Sequence, residues 1–598
     1  MIRPHRPLAG SDPVHPEGAT PVGSADADRR IQVTIVLRPA RLPARHPARL
    51  RAQAHASAWP TERVPLTEAD FAALNAPPPE AVKAVLSVAR QQGLTIIDVS
   101  RARHDILVEG PIAVFERAYR VRQLEYEHER GRYRAHAGPL SLPRQLHSLV
   151  EGVLGLDTIP HGRPHGRAAP RLSRAPRALS PDDLAAMYRF PETTSAHGRV
   201  AILEFGGGVH AVDLAALRRH ARIRVLGIVD GDGPTAHNTP LERGALLEIL
   251  RDWRAGVSFE RLTAAYGNQF AAFMETVEAT MDTEVVAGLV PDAPVDLVFA
   301  PPCADGWRRA IYAEIGFPYP DSVTGPASRS RTPPSVMSVS WGMTERSWGR
   351  MKLQVLHGTL QAAVRRDTTV CCSTGDFGSQ NSPVPGAKRS VNYPATSTWA
   401  LACGGTSLVH EAGQRREVGW LESLLGSRLA GGGGMSGHFT APRFQAGITK
   451  PDPGDTWLAG EHRTFKGRWI PDVAAHAGFD PGVAMRVLGR PFSGGGTSAA
   501  TPIWAALVAR LAAALGRPLG WLNPALYSLA ASGTFRDIRE GHNDLRARQG
   551  KPVHYRAAKG WDPCTGLGTP DGTALLEALQ QGPPRPAQGS LRRSSRRK

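Results

Sequence analysis

Cysteine, aromatic residues and long apolar runs are all scarce in this chain of 598 residues. Its five cysteines are odd in number and lack CxxC spacing, so the sequence indicates neither a disulfide framework nor a zinc site. No apolar run approaches the ~20 residues of a membrane-spanning helix, so we expect no membrane span. Residues 1–23 are polar and proline-rich and lack the apolar core of a secretory signal. The length itself predicts two or more folded units.

The net charge of +18 at pH 7 raises the question of a nucleic-acid partner. Part of this charge lies in a C-terminal tail without acidic residues: Arg585, Arg592, Arg593, Arg596, Arg597 and Lys598. The other arginines are scattered through proline-rich sequence, without interleaved aromatic residues or a recognition motif. We therefore expect no specific nucleic-acid partner and interpret residues 583–598 as a disordered basic tail.

The first third of the chain changes character twice. We interpret the polar residues 1–28 as disordered. Strand and helix patterns then alternate from Arg30 onward, at residues 31–37, 67–74, 79–91, 94–100, 105–109 and 112–119. This order predicts a small α+β domain over residues 29–159. Residues 160–176, rich in Pro, Arg, His and Gly, are interpreted as an exposed linker that contains a processing site.

The remainder, residues 177–582, alternates buried strands with helices. Strand patterns occur at residues 199–205, 295–300, 336–341, 368–372 and 399–402. Such alternation predicts an α/β fold with a largely parallel sheet flanked by helices. Functional side chains are expected at the carboxyl ends of its strands. Residues 241–273 add helix and loop for which we assign no chemistry.

A glycine-rich bend, residues 493–502, leads directly into an apolar helix and contains Ser498. Glycines allow the backbone to approach a substrate closely, and a helix N-terminus favours developing negative charge. Ser498 is therefore a candidate nucleophile. The other interpretation is a Gly/Ser loop that caps an ordinary core helix. The bend alone leaves both open.

A histidine base is the usual partner of such a serine, and His357 is the candidate, since His357-Gly358-Thr359 resembles a subtilisin motif. In subtilisin the histidine precedes the substrate-binding strand, whereas His357 follows the strand-like residues 338–342. It also lies within the helical pattern of residues 351–364. We interpret His357 as structural.

Three acids offer another source of catalysis. Glu278 and Asp282 are four residues apart, so on a helix they share one face, where two carboxyls tend to share a proton. A solvated acidic helix face is the alternative. Asp376 follows the buried strand 368–372 among glycines. Asp376 either forms an Asx-turn or is a reacting group that is presented to a substrate.

Taken together, these segments resemble the sedolisins, the serine-carboxyl peptidases. The matching segments, in chain order, are Ile202–Gly208, Glu278 with Asp282, Ser340–Gly342, Gly375–Gly378, Tyr393–Ser397, Ala402–Thr406, Gly432–Ser436, Pro471–Val473, Gly496–Ala499 and Gly560–Gly566. The N-terminal α+β domain resembles the propeptide of the same family. The resemblance implies a subtilisin-like, largely parallel sheet preceded by an α+β activation domain.

The resemblance also implies roles. Ser498 matches the nucleophile, Glu278 the general base, Asp282 the acid coupled to it and Asp376 the oxyanion-stabilising acid. Glu204 and Trp341 match a network that supports the base in some members. A carboxylate base best matches an acidic operating pH, and a protonated oxyanion donor requires acid, so we expect an optimum around pH 3–5.

One structural Ca²⁺ is a further implication. Its ligands would be the carboxylates of Asp537 and Asp562 and the carbonyls of Ile538, Ala558 and Gly560, an oxygen-only set that suits calcium. Ala558 replaces a glycine common at that position, and a backbone carbonyl ligand tolerates the change.

The expected protein is thus a secreted, monomeric, acid-acting endopeptidase made as a zymogen. Its substrates would be proteins or peptides, and its own propeptide would be an intramolecular inhibitor. The alternatives are an inactive homologue that acts as a binding protein and a hydrolase that uses His357.

Overall fold

The structure of the protein is a computed structural model that describes residues 5–129, 131–165, 167–169, 177–192, 198–229, 236–324, 332–382, 388–411, 414–424, 426–450, 466–545 and 555–584. They form an N-terminal unit (residues 5–159) and a C-terminal unit (residues 177–584). A connector (residues 160–176) joins the two units, and residues 160–165 and 167–169 of it are described. None of the described helices combines the length and the apolar character needed to cross a membrane.

The N-terminal unit is an α+β domain, as predicted. Its strands are β1 (His5–Pro7), β2 (Thr20–Ser24), β3 (Arg30–Leu37), β4 (Thr95–Ser100), β5 (Asp105–Pro111), β6 (Arg122–His128), β7 (Gly131–Ala137), β8 (Ser141–Pro143) and β9 (Val150–Leu154). Its helices are α1 (Pro47–Ser57), α2 (Glu68–Asn75), α3 (Pro79–Gln91) and α4 (Ile112–Tyr119). The central sheet is antiparallel with the order β4-β5-β3-β9.

The expectation that residues 1–28 are disordered is wrong for the described residues 5–28. Strand β2 pairs with β6, and β1 pairs with β8. Leu8 and Ala25 are buried. Strand pairing uses main-chain groups, so a polar and proline-rich segment can join the edge of a sheet without any apolar pattern of its own.

The C-terminal unit is an α/β domain. Its helices are α5 (Pro181–Met187), α6 (Ala211–Leu217), α7 (Arg243–Arg254), α8 (Phe259–Tyr266), α9 (Asn268–Leu289), α10 (Ala304–Glu314), α11 (Arg350–Arg365), α12 (Thr497–Ala514), α13 (Asn523–Ser528) and α14 (Gly572–Gln581). Its strands are β12 (Val200–Glu204), β13 (Arg222–Ile228), β14 (Pro294–Phe299), β15 (Val323–Thr324), β16 (Val336–Val339), β17 (Trp341–Thr344), β18 (Thr369–Ser373), β19 (Asn392–Tyr393), β20 (Ala400–Glu411), β21 (Gln414–Gly419), β22 (Leu421–Leu424), β23 (Ser427–Ala430), β24 (Gly434–Thr440), β25 (Gly467–Ile470), β26 (Val473–His476), β27 (Val483–Val487), β28 (Arg490–Gly495), β29 (Phe535–Arg536) and β30 (Thr569–Pro570).

The main sheet of this unit is largely parallel. Parallel strands follow the order β13-β14-β12-β16-β18-β20-β26, and the short β15 and the longer β21 add antiparallel edges. Strands β12, β16 and β18 are buried along their whole length, which explains why their sequences are mostly apolar and do not alternate with exposed polar residues. Their carboxyl ends lie side by side, so Glu204, Ser340 and Asp376 are presented at the same edge.

Two pairs of helices cover the two faces of the sheet. Helices α9 and α12 pack against each other within one hydrophobic core, and both are buried along most of their length. Helices α10 and α11 contribute to the second core, on the other face. That second core also contains residues of β3, β5 and β9, so the N-terminal unit docks on α10 and α11.

Buried ion pairs join the two units. Lys352 of α11 donates to Asp157 over 2.7 Å, and Arg308 of α10 lies 3.1 Å from Asp105. His55 lies 2.7 Å from Asp367. Burial raises the pKa of Asp157, but Lys352 and two nearby histidines outweigh it and lower that pKa to about 2. The carboxylate of Asp157 is therefore held in its ionised form by cations.

The connector does not follow the prediction of an exposed linker in its described part. β10 (Arg163–Pro164) pairs antiparallel with β17, and β11 (Arg167–Ala169) pairs antiparallel with β28. His161 and His165 are buried. Main-chain pairing holds this segment, which explains why its side chains carry no apolar signal. Residues 170–176 and 585–598, parts of the predicted linker and tail, lie outside the described residues.

Candidate active site

Ser498 lies in the first turn of α12. The preceding Gly496 has φ 93°, a conformation that suits glycine and turns β28 sharply into the helix. Ser498 is completely buried, and its hydroxyl donates to the carbonyl oxygen of Ser340 over 3.3 Å. The serine thus stands at a helix N-terminus, beside the carboxyl end of β16.

Glu278 and Asp282 lie on α9, the helix that packs against α12. Both are completely buried, which excludes the solvated acidic face. Asp282 Oδ2 accepts a hydrogen bond from Ser340 Oγ over 2.6 Å. Neither oxygen of Glu278, nor Oδ1 of Asp282, has a well-formed hydrogen bond among the described residues, although the Ser498 hydroxyl lies close enough to Glu278 to act against the rise of its pKa. Buried carboxyl oxygens without donors point to a site that is completed by protons or by a substrate.

Glu204 and Trp341 extend this group of acids. Glu204 ends β12, and its Oε2 accepts a hydrogen bond from Trp341 Nε1 over 2.8 Å. Both side chains are completely buried. The carboxyl of Glu204 lies close enough to Asp282 for their charges to interact.

Burial dominates the electrostatics of these acids. It raises the pKa of Asp282 to about 8, although the hydrogen bond from Ser340 acts the other way. Burial, and then the neighbouring carboxyls of Asp282 and Glu204, raise the pKa of Glu278 well above its ordinary value. The pKa of Glu204 is raised by burial and by Asp282. Buried acids this close cannot all ionise, so the cluster holds protons.

Asp376 follows β18 and is bound to the residue before Ser498. Its Oδ1 accepts hydrogen bonds from the amide and the hydroxyl of Thr497, over 2.9 and 2.8 Å. The amide of Gly375 donates to the same hydroxyl over 3.1 Å. These contacts reach α12 rather than a turn of its own segment. Asp376 is therefore fixed beside the nucleophile candidate.

His357 contacts other groups. Its Nδ1 lies 2.9 Å from Ser397 Oγ, and its Nε2 accepts from Trp399 Nε1 over 3.1 Å. The ring stacks on Phe439, and burial lowers its pKa to about 4. Both ring nitrogens thus make hydrogen bonds within the protein, in agreement with the prediction that His357 is structural.

The residues expected to bind calcium surround the turn at residues 558–560. Asp537 Oδ1 accepts from the amide of Gly560 over 3.0 Å, and Asp562 Oδ2 accepts from the amide of Ala558 over 3.1 Å. Ile538, next to Asp537, is buried. Among the described residues, no three His, Cys, Asp or Glu side chains are grouped as metal ligands. The expected set contains only two carboxylates.

Two contributors lacked an assigned role in the sequence. Ser340 connects Asp282 to the Ser498 segment, since its hydroxyl donates to Asp282 and its carbonyl accepts from Ser498. Thr497 holds Asp376. Ser340 lies at a strand end and Thr497 lies next to the nucleophile candidate. These two positions are the only features of the sequence that could have indicated a role for them in the site.

A buried serine surrounded by carboxyls at the carboxyl ends of a parallel sheet defines a serine-carboxyl hydrolase. Comparisons with known proteins agree. The family model described as Pro-kumamolisin, activation domain, matches residues 17–159. Kumamolisin from a Bacillus species is 33% identical over 587 residues, covering 96% of each chain. Tripeptidyl-peptidase sed5 from Aspergillus fumigatus is 27% identical over 635 residues, covering 96% of this chain and 97% of the relative.

The chain belongs to the sedolisin family of serine-carboxyl peptidases, and it is made with a propeptide. Among solved structures, Pseudomonas sedolisin, described as a serine-carboxyl proteinase, is similar with a TM-score of 0.48 and 20% identity. That similarity covers 68% of this chain and 99% of the other.

Proposed function

We propose that this protein is an acid-acting endopeptidase made as a zymogen. Ser498 is the nucleophile, Glu278 the general base, Asp282 the acid coupled to it and Asp376 the oxyanion donor. One observation carries the proposal: Ser498 and these three buried acids converge where α9 and α12 meet the carboxyl ends of β16 and β18.

The first step is attack of Ser498 Oγ on the substrate carbonyl. Glu278 accepts the serine proton and later returns it to the leaving amine. Only the ionised form of Glu278 can accept this proton, so protons held on Asp282 and Glu204 beside it are what permit its charge. Asp282, with a pKa of about 8, is protonated in acid and supplies a proton that orients Glu278. Ser340 holds Asp282 in place through its 2.6 Å hydrogen bond.

The role of Asp376 is to stabilise the negative charge on the oxygen of the tetrahedral intermediate. Its Oδ1 accepts both hydrogen bonds from Thr497, so a proton on the acid resides on Oδ2. A protonated carboxyl donates to the oxyanion, whereas an ionised one would repel it. The N-terminus of α12 favours the same charge. Asp376 is therefore a second reason to expect activity in acid.

The path of the connector supports zymogen control. The amide of His165 donates to the carbonyl of Ser340 over 3.3 Å, and Ser498 Oγ donates to the same carbonyl. The segments on both sides of this point pair with β17 and β28, which are the walls of the cleft. We assign the bond on the carboxyl side of His165 as the first processing site. The connector occupies the cleft until it is cut.

The same path supports the endopeptidase mode. If His165 is the residue before the cleaved bond, Arg163 is the third residue from that bond. The chain continues through Gly162 against the ring of Trp307, and His161 stacks on Trp348. The cleft thus has room for residues beyond the third, and a free N-terminus there is not required.

The acids around the turn 558–560 suit a calcium ion. Asp562 is buried, and burial raises its pKa to about 7, while its hydrogen bonds come from backbone amides and Thr565 rather than from a cation. A calcium ion held by Asp537, Asp562 and the carbonyls of Ile538, Ala558 and Gly560 would neutralise it and fix the loop. Dialysis against EDTA should lower the melting temperature and release about one ion per chain. A protein without calcium and with an unchanged melting temperature would exclude the site.

Processing tests the proposal as a whole. Wild type incubated at about pH 4 should release residues 1–165, identified by mass, and then cleave internal bonds of long peptides. Purified Ser498→Ala should remain intact. Self-processing of pure Ser498→Ala would contradict the mechanism. A wild type that cuts neither its connector nor any peptide would favour the binding-protein alternative. We also propose that the enzyme is monomeric and acts outside the cell.

A further inference from the structure

A cavity of about 260 Å³ lies beside the connector, between α8, α9 and the loop after Asp376. Apolar side chains form most of its wall: Phe259, Phe270, Met274 and Phe377. Two carboxylates, Glu275 and Glu129, also line it. The connector contributes Arg163, Pro164 and His165, and Thr263, Gly267 and Ala271 complete the lining. Phe259 and Phe270 in this wall belong to residues 241–273, to which the sequence analysis assigns no chemistry.

Arg163 shows which chemistry this cavity accepts. Its guanidinium carbon lies 5.5 Å from the centre of the Phe377 ring, within the range of a cation–π contact. Its side chain is half-buried although the residue is charged. A cavity lined by an aromatic ring and two carboxylates suits a planar cation better than an aliphatic or an acidic side chain.

Most of the cavity wall remains after the N-terminal unit and the connector have been removed. Glu129 belongs to the N-terminal unit and leaves with it, whereas Glu275 and the four apolar residues belong to the C-terminal unit. Glu275 lies in the first half of α9, one turn before Glu278, and its carboxyl packs against Gly206. Substrate therefore meets the ring that Arg163 contacts in the zymogen, in a cavity that still contains Glu275.

We propose that this cavity is a substrate subsite for a basic side chain, arginine above all, at the third residue before the cleaved bond. Arg163 of the connector is its occupant in the zymogen. The assignment rests on the proposed function for the numbering of the substrate, since it takes His165 as the residue before the cleaved bond. Phe377 supplies the ring face and Glu275 the charge.

The first test needs no catalysis. In the full-length Ser498→Ala chain, an added protease of broad specificity should cut the connector slowly. Arg163→Gln and Glu275→Gln should each raise that rate by roughly fivefold or more, because the connector loses a charged contact in the cleft. Glu260→Gln, on the exposed side of α8, is the matched control and should leave the rate unchanged. Unchanged rates in Arg163→Gln and Glu275→Gln would overturn the assignment.

The second test uses acid-processed enzyme and paired peptides that differ only in arginine or citrulline at the third position. Citrulline keeps the shape and removes the charge. The wild-type kcat/KM should favour arginine by about tenfold. That preference should fall toward one in Glu275→Gln and in Phe377→Leu, and remain in Glu260→Gln. The ratio is internal to each enzyme, so a general loss of activity does not alter it.

The two tests separate the two proposals. Equal cleavage of both peptides by wild type would overturn the subsite while the peptidase stands. Protection of the connector that depends on Arg163 and Glu275, in a protein that cleaves no peptide, would support the cavity as a site for a basic side chain and reject the peptidase.

Discussion

Carboxyl groups are buried both at the interface between the two units and at the site around Ser498. The cost of burying their charge is offset differently in the two places. At the interface Asp157 faces Lys352, and its pKa falls to about 2. At the site Asp282 faces other acids and a serine hydroxyl, and its pKa rises to about 8. Burial is comparable in the two places. The partner therefore decides whether a buried acid keeps its charge or its proton.

This difference gives the two regions opposite responses to acid. The interface loses stability as pH falls through the lowered pKa of Asp157, because its ion pair with Lys352 is lost. The site cluster gains stability as pH falls below the raised pKa of Asp282, because its acids are then neutral. The proton on Asp282 is therefore present well before the interface weakens, because the Asp157 ion pair is lost only as pH falls below the ordinary value of an aspartate toward about 2.

The largest effect should come from Glu278→Gln, which keeps the shape of the side chain and removes the base. We expect kcat for a peptide to fall by about 10³–10⁴-fold. Glu284→Gln, further along the same helix, is the matched control and should keep nearly full activity. Steady-state kinetics on acid-processed enzyme measures this, with separately supplied active protease to process the variant. Retention of a tenth of wild-type kcat would reject Glu278 as the base.

Lys352→Met tests the interface between the two units, because it leaves Asp157 buried without its cation. In a Ser498→Ala background the free energy of unfolding should fall by about 3 kcal/mol. In the active chain, processing should begin at a higher pH. Adding Asp157→Asn should restore part of the loss. Denaturant unfolding and a pH series of processing would show it, and equal values for parent and Lys352→Met would contradict the role of the pair.

Asp282→Asn sharpens the comparison through its pH dependence. Asp282 has a raised pKa of about 8, so its contribution is complete below the ordinary value and disappears as pH rises toward 8. In the Ser498→Ala background the free energy of unfolding should therefore decline between pH 5 and 8, by up to about 1.4 kcal/mol per pH unit for each such group. In Asp282→Asn the free energy of unfolding should decline less steeply with pH, because one titrating group has been removed. Parallel curves would mean that Asp282 does not hold a proton.

His357→Gln should have the smallest effect on activity. Its ring contacts Ser397, Trp399 and Phe439, so its loss removes packing and hydrogen bonds. We expect kcat/KM to change by less than about threefold and the free energy of unfolding to fall by about 1–2 kcal/mol. Thermal melts and peptide kinetics would distinguish this from a catalytic role. A loss as large as that in Glu278→Gln would restore the histidine alternative.

The sequence contained enough information for the sheet and for the acids. Strands β12, β14 and β18 are buried on both faces, and their apolar runs are visible without a structure. The four-residue spacing of Glu278 and Asp282 places them on one helix face, and their burial removes the solvated alternative.

Contacts made through the main chain were not visible in the same way. The connector pairs with β17 and β28 through its backbone, and β2 joins β6 from a polar segment. Neither pairing requires a side-chain pattern, so composition suggested a free linker and a disordered N-terminus. The role of Ser340 depends on the three-dimensional meeting of β16, α9 and α12, which local periodicity does not reveal.

The pH profile of kcat/KM for one well-cleaved peptide tests the central claim most directly, because a histidine base is lost in acid, whereas a protonated oxyanion donor requires acid. With acid-processed wild type, we predict a maximum around pH 3–5 and a decline toward neutral pH as Asp376 loses its proton. A maximum near neutral pH, with activity vanishing below about pH 5, would contradict a carboxylate-activated Ser498.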